Sequence, residues 1–248
     1  MSHRCHIRPL PLALAMLMTA SLAQAHTTLE TPAMSEGVRV LNNEQIGHAC
    51  GAGTSVIGTS VVFPDGKDST LLVNGAPYNG TLSDFISNWG PNIQPLLNHA
   101  VFNYIDEKND ANGNVVGFQA GGGAGMPDHM VAYVPFRVNA TNFNPASCAT
   151  SVKFHVSIVD ICKITDGTHI HDAGVANFWT SNTLSTNYDS SSASEDAASL
   201  TINRNLAANP LPASCGGVGT SVDVRNSALQ LNRDMPIRIN GTTVWPQP

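Results

Sequence analysis

Charge is scarce in this sequence. Only 12% of the 248 residues are Asp, Glu, Lys or Arg, with four lysines and five glutamates. Serine, threonine, asparagine and glycine are abundant instead, a composition that favours strands over helices. Acidic residues outnumber basic ones by 18 to 12. That balance argues against nucleic acid or an anionic membrane surface as a partner.

Long apolar runs are missing after residue 23. The one such run, Leu10 to Ala23, follows a segment with Arg4 and Arg8 and precedes the small residue Ala25. This pattern is typical of a secretory signal peptide spanning the first 25 residues, and the run is shorter than the ~20 residues that cross a bilayer. We therefore expect no membrane anchor. The mature chain would have 223 residues, ten basic and 18 acidic, a charge of about −8, and would be periplasmic or secreted.

No Cys-x-x-Cys pair is present, which argues against a thiolate metal site. Four cysteines follow the signal segment: Cys50, Cys148, Cys162 and Cys215. An even number in an exported chain predicts two disulfides, with three pairings open. A bridge between Cys148 and Cys162 is disfavoured because a predicted strand separates them, and its ends would exceed the ~7 Å Cα limit.

Aromatic residues make up 6% of the chain, with three tryptophans and four tyrosines. These are few residues from which to build the flat aromatic surface that polysaccharide-oxidising enzymes use to bind their substrate. No motif for a catalytic triad or a carboxylate pair is evident, although such groups can meet only in the fold. The glycine-rich segment 121–125 lacks the lysine and the strand-to-helix context of a phosphate loop, so we predict a flexible loop there.

Alternating apolar residues predict strands in the centre of the chain. Val134 to Val138 and Val152 to Ile158 have apolar side chains at every second position, the period of half-buried antiparallel strands. His155 falls on the polar face of the second run, so we expect it to be exposed. Two further runs, Thr54 to Phe63 and Ala100 to Ile105, have the residue types of strands.

Short strands separated by turn residues predict an all-β sandwich. One helical turn is expected around Trp89, between residues 83 and 97. We expect one domain over residues 26–180, with 67–125 as a candidate insertion and 181–248 as a loop-rich C-terminal extension packed on the same domain. The extension contains three short candidate strands: Leu200–Ile202, Val222–Val224 and Ile237–Ile239.

A histidine would begin the mature chain. Cleavage at the predicted site exposes His26, whose α-amine and imidazole Nδ1 can chelate one metal ion. Copper(II) prefers a tetragonal set of nitrogen and oxygen donors. His48, two residues before Cys50, is the candidate for a third nitrogen, and its alternative is a polar residue at a strand edge. Glu30 and Glu36 are alternative oxygen ligands.

Two lesser groups of metal-ligand residues occur. His169 and His171 would face the same side of an extended segment and could bind one ion together. Met126, His129 and Met130 are soft donors of the kind that suit copper(I). The alternative for the first group is loop exposure, and the alternative for the second is one loop methionine with two residues at the entry of a strand.

Three blocks of the chain resemble the YcnI-like copper-binding domain family of exported bacterial proteins. The first is His26–Pro32 (HTTLETP), where the family opens with a cleaved Ala-His. The second joins Gly47–Cys50 (GHAC) to a strand that ends in Phe63–Gly66 (FPDG). The third runs from Val159–Cys162 (VDIC) to Trp179. Together the blocks cover residues 26–66 and 130–180.

The resemblance implies an immunoglobulin-like antiparallel β-sandwich in which His26 chelates Cu(II), His48 completes the site and Trp179 lies close by. For Trp179, the alternative is a core aromatic that packs on a disulfide in the sandwich, and the two roles are compatible. Residues 67–125 match the family only loosely, and residues 181–248 have no counterpart in it.

The resemblance also implies a disulfide pairing, Cys50 with Cys162, which leaves Cys148 with Cys215. It further implies a non-catalytic copper protein, acting as a chaperone, scavenger or store alongside other periplasmic copper-handling proteins. A copper-dependent polysaccharide monooxygenase also uses a terminal histidine, and is the enzymatic alternative. A structural or adhesive sandwich with incidental histidines is the third.

Overall fold

The computed structural model describes residues 26–90, 92–110, 112–181, 183–191 and 197–248. The predicted signal peptide lies outside these residues. The strands are β1 Thr28–Leu29, β2 Ala33–Ser35, β3 Val40–Ile46, β4 Ser55–Val62, β5 Thr70–Val73, β6 Ala76–Tyr78, β7 Ile93–Pro95, β8 Tyr104–Asn109, β9 Val115–Pro127, β10 Ala132–Val138, β11 Ala149–Ile161, β12 Ala176–Trp179, β13 Ala198–Asn203, β14 Thr220–Arg225, β15 Ile237–Ile239 and β16 Thr242–Trp245, and one α-helix, α1, spans Ala228–Asp234. Within the described ranges no helix is long and apolar enough to cross a membrane.

Two sheets carry the fold. The smaller has the order β1-β3-β10-β7, and the larger runs β6-β5-β14-β11-β4-β9-β8, with β12 and β13 also pairing with β11 and with β2 beside β13. Most pairs are antiparallel, but β11 with β14 and β13 with β2 are parallel. The hairpin β15–β16 forms a separate two-stranded sheet. The predicted all-β sandwich is confirmed, with two parallel pairs that were not expected.

The core lies between the two sheets. In β10, alternate residues are buried, as predicted, and Phe136 is fully buried. Its ring lies 5.3 Å from that of Phe118 in the opposite sheet and 5.8 Å from that of Phe63. Burying each such ring stabilises the fold by roughly 1.5–3 kcal/mol, so this aromatic contact contributes substantially to the packing of the two sheets.

The central strand β11 is buried on both faces along its second half. The outer face is covered by a second apolar cluster in which Val159 and Ile161 pack with Leu231 of α1 and Trp245 of the terminal hairpin. His155 is 6% exposed and its Nε2 lies 2.8 Å from Asp223 Oδ1. The prediction of an exposed histidine is therefore wrong, because the period of one strand does not show what covers its second face.

The glycine-rich segment 121–125 is part of the long strand β9, so the predicted loop is wrong. The pairing of β9 with β4 shifts register between Val56 and Gly58. Gly125 has a positive φ of 72°, and a Cβ there would lie 2.6 Å from the carbonyl oxygen of Val56. Glycine is used here because the two backbones approach closely at an irregular point of the sheet.

Two other local predictions need correction. The strand expected over Ala100–Ile105 begins only at Tyr104 and continues through the polar residues of β8, whose backbone pairs with β9 at the sheet edge. The helical turn expected around Trp89 is a 3-10 turn at Leu82–Asp84. Trp89 instead stacks on Phe154, with ring centroids 3.9 Å apart.

The C-terminal residues complete the large sheet. Strands β13 and β14 flank the first half of β11 on either side, whereas β4 and β12 flank its second half. A disulfide joins Cys148 to Cys215, with Cα atoms 5.6 Å apart. A second disulfide joins Cys50 to Cys162. Both are the pairs that the family resemblance implied, and two disulfides are typical of proteins that fold in an oxidising compartment.

Candidate metal centre

Two histidine rings pack against the indole of Trp179. The ring centroid of His26 lies 4.7 Å from that of Trp179, and the ring of His48 meets it edge-on at 5.7 Å. Trp179 ends β12 and is 8% exposed, while both histidines are half-buried. The structure thus brings together the three residues that the sequence singled out, and Trp179 also belongs to the core cluster.

Strand pairing explains why the two histidines lie at the same end of the small sheet. His26 lies two residues before β1 and His48 two residues after β3, and these strands are antiparallel, with Thr28 opposite Gln45. The same register, continued by two residues, leads from Thr28 back to His26 and from Gln45 on to Gly47. His48 is the next residue.

The disulfide Cys50–Cys162 holds the His48 segment to the end of β11, with Cα atoms 6.0 Å apart. The Nδ1 atom of His48 lies 2.5 Å from the carbonyl oxygen of Ala49. Because a carbonyl only accepts, Nδ1 carries the proton, and Nε2 is the electron-pair donor of the neutral ring. A hydrogen bond of this kind fixes the tautomer and orientation of a metal-binding histidine.

Asp160 of β11 connects the indole of Trp179 to Thr27, the residue after His26. Its Oδ2 accepts a hydrogen bond from Thr27 Oγ1 at 2.5 Å and another from Trp179 Nε1 at 2.6 Å. Asp160 is fully buried, and Thr27 is 1% exposed. One carboxylate oxygen therefore holds both the residue that follows His26 and the indole on which both histidines rest.

A second buried carboxyl faces Asp160 across the sandwich. Glu44 of β3 is fully buried, and its Oε1 accepts from Thr59, which pairs with Asp160 in the large sheet. Glu44 Oε2 and Asp160 Oδ1 have no hydrogen-bond partner among the described residues.

The two carboxyl pKa values reflect this environment. Burial raises the pKa of Asp160 to about 6, against opposing effects of the hydrogen bonds from Thr27 and Trp179 and of charge on His48. Burial, and then repulsion from Asp160, raises the pKa of Glu44 well above its ordinary value. Two buried carboxyls facing each other resist simultaneous ionisation.

Asp160, Glu44 and Thr27 were not predicted from the sequence. The signal for Asp160 was a charged residue inside the apolar run 158–161 at the end of β11. Such a residue has to find a partner in the fold, but nothing in the chain names that partner.

The donor set of this centre fits copper in type. Imidazole nitrogens suit copper, zinc, iron and nickel, whereas calcium and magnesium take oxygen ligands. In the part of the chain that the structure describes, no three His, Cys, Asp or Glu side chains converge on one point. A complete site would need a further donor that is not one of these side chains. The α-amine that cleavage before His26 would create could be that donor.

The two alternative oxygen ligands, Glu30 and Glu36, form hydrogen bonds with other residues. Glu30 is exposed, and its Oε2 accepts from Asn43 Nδ2 at 2.6 Å. Glu36 is buried and accepts hydrogen bonds from the backbone of Phe143 and from Asn209. Glu36 thus ties loops together.

The lesser ligand groups do not assemble. His169 hydrogen-bonds Asp166, while His171 Nε2 lies 2.8 Å from the carbonyl oxygen of Asn187 and its ring stacks on Phe178. They lie in a turn rather than an extended segment, so the expectation of a shared face is wrong.

The methionine group is divided by burial. Met126 is 3% exposed in the core, whereas Met130 is 53% exposed. The His129 side chain is 76% exposed beside Asp128. Because β9 directs Met126 inward, the three soft donors are not presented on one surface.

Comparison with known proteins gives no family. No protein-family model matches the chain, and no curated protein matches it either. Among solved structures, an uncharacterized protein from Nocardia farcinica described as having an immunoglobulin-like fold is similar with a TM-score of 0.40 and 10% sequence identity, over 72% of this chain and 99% of that one. A likeness of this size says nothing about function.

Proposed function

We propose that the mature chain is an exported copper-binding protein that holds one copper ion through His26 and His48. The observation that carries the proposal is the packing of both imidazoles on the single indole of Trp179. The amine and Nδ1 of His26, with Nε2 of His48, would supply three nitrogen donors. Such a set supports capture and delivery of copper by a chaperone, scavenger or store in the periplasm or outside the cell.

Two features of the fold support a prepared site. The Cys50–Cys162 disulfide and the hydrogen bond from His48 Nδ1 to Ala49 fix the direction of the second imidazole. The indole of Trp179 is itself hydrogen-bonded to Asp160. Side chains that are held in place before a ligand arrives lose less freedom on binding, which raises affinity.

The test is a pair of copper(II) titrations. One protein begins at His26, and the other carries one additional glycine before it, which leaves the fold intact but moves the free amine away from the imidazole. We expect the added glycine to remove most of the affinity, and affinity to fall as the pH is lowered, because amine and imidazole must lose protons to bind. Equal affinity for the two chains would refute the terminal chelate.

A matched pair of substitutions tests the second ligand. His48→Ala should lower copper affinity, whereas His129→Ala removes a histidine whose side chain is 76% exposed and should leave the affinity unchanged. If His129→Ala had the larger effect, the copper would be bound at another surface.

A further inference from the structure

The hydroxyl of Thr27 links the candidate metal centre to the middle of the large sheet. Thr27 donates to Asp160, which lies 133 residues later in the chain, and the hydroxyl is buried with it. The other donor to the same oxygen is Trp179. Both donors stand beside a candidate copper ligand, since Thr27 follows His26 and Trp179 touches both imidazoles.

We propose that Asp160 is a positioning residue for the copper site and that Thr27, the second residue of the mature chain, is its required partner. Oδ2 of Asp160 fixes Thr27 and the indole together, so that the nitrogen atoms of His26 are held in one arrangement before copper binds. This inference rests on the proposed function.

The backbone alone gives the first residue little support. Strand β1 has two residues, Thr28 and Leu29, and pairs with β3 only there. Terminal residues are normally mobile unless side chains tie them down. Of the two threonines at this end, Thr28 is exposed and only Thr27 is buried against a partner. The hydroxyl of Thr27 is thus the tie closest to His26.

Asp160 is an unfavourable choice for the core itself. It is fully buried, and its Oδ1 has no hydrogen-bond partner among the described residues. Burial of a carboxyl with an unpartnered oxygen lowers stability, and an apolar side chain of similar size would avoid that. The structure therefore gives Asp160 a use at the site, where one oxygen receives two donors, rather than a use in packing.

The test compares variants that differ in one group. Thr27→Val keeps the shape and removes the hydroxyl, Thr27→Ser keeps the hydroxyl, and Thr28→Val is the matched control at the exposed neighbour. Asp160→Asn keeps an accepting oxygen and Asp160→Leu does not. Each mature protein is titrated with copper(II) against a competing chelator, and the electron paramagnetic resonance spectrum of its copper(II) form is recorded.

We expect Thr27→Val and Asp160→Leu to bind copper about 10- to 100-fold more weakly, the usual effect of removing a group that orients a metal ligand. Their spectra should show more than one copper environment. Thr27→Ser, Thr28→Val and Asp160→Asn should retain wild-type affinity and a single spectrum. A purely structural role would lower the melting temperature without changing the spectrum of the folded fraction.

Two results distinguish a failure of the proposed function from a failure of the positioning role. If the wild-type chain and the chain with an added glycine bind copper equally, the proposed function fails and the positioning role falls with it. If the added glycine abolishes binding but Thr27→Val matches wild type in affinity and spectrum, only the positioning role is overturned. Should Asp160→Leu fail to fold, Thr27→Val and Thr27→Ser decide the question alone, since they probe one hydroxyl.

Discussion

Replacing Asp160 with asparagine should stabilise the metal-free protein at neutral pH. The carboxyl is fully buried, and its pKa rises from the ordinary value of 3.8 to about 6. A carboxyl whose pKa rises on folding contributes its full stabilisation below pH 3.8, where it is protonated in both states. That contribution is lost as the pH rises through about 6, because burial makes ionisation of the carboxyl unfavourable in the folded state but not in the unfolded state.

The magnitude follows from the shift. A rise of about two pKa units corresponds to roughly 3 kcal/mol at about 1.4 kcal/mol per unit. Asparagine cannot ionise, and its oxygen can accept the hydrogen bonds from Thr27 and Trp179 that Asp160 accepts in the wild type. We therefore expect Asp160→Asn to be more stable than wild type by up to about 3 kcal/mol at neutral pH.

The assay is urea unfolding of metal-free mature protein with its disulfides intact, at about pH 4 and about pH 7.5. Wild type should lose stability between the two conditions relative to Asp160→Asn, so the gap should be small in acid and wide at neutral pH. Asp172→Asn, at an exposed position, is the control and should track wild type. A variant less stable than wild type at neutral pH would refute the reasoning, because it would mean that the buried carboxylate is favourably ionised in the fold.

Two further predictions concern the disulfides and the enzymatic alternative. Replacing Cys50 and Cys162 by serine opens a link between residues 112 apart in sequence and should cost up to about 4.7 kcal/mol of unfolding free energy, together with copper affinity, since it frees the His48 segment. Replacing Cys148 and Cys215 should lower stability while the folded protein keeps its copper affinity, and the reverse pattern would place the metal elsewhere. With ascorbate and oxygen, the copper-loaded protein should give no oxidised oligosaccharide from chitin or cellulose above a free-copper control, and substrate-stimulated product would instead indicate a monooxygenase.

Sequence periodicity was sufficient where one strand face meets the core. The alternation of apolar and polar residues in β10 and in the first part of β11 predicted both strands, because period-two burial is a local property of the backbone. The candidate ligands could also be found locally. His26 and His48 lie at the same end of one antiparallel strand pair, and this placement follows from the register of β1 and β3.

Periodicity failed where a second layer or a neighbouring backbone set the environment. His155 is buried although its strand face reads as polar, and residues 121–125 form a strand although glycine usually marks a loop. Residue type gives a local preference, whereas contact with a distant segment can override it.

The sequence by itself determined that the chain forms a β-sandwich, that its four later cysteines can pair, and which nitrogen donors stand near the predicted mature terminus. Only the tertiary structure decided what holds those donors. Thr27 and Asp160 lie 133 residues apart, and Glu44 of the opposite sheet accepts a hydrogen bond from Thr59, the strand neighbour of Asp160. A hydrogen bond depends on positions within a few tenths of an ångström, which arise from the packing of the two sheets and leave no trace in the spacing of residues along the chain.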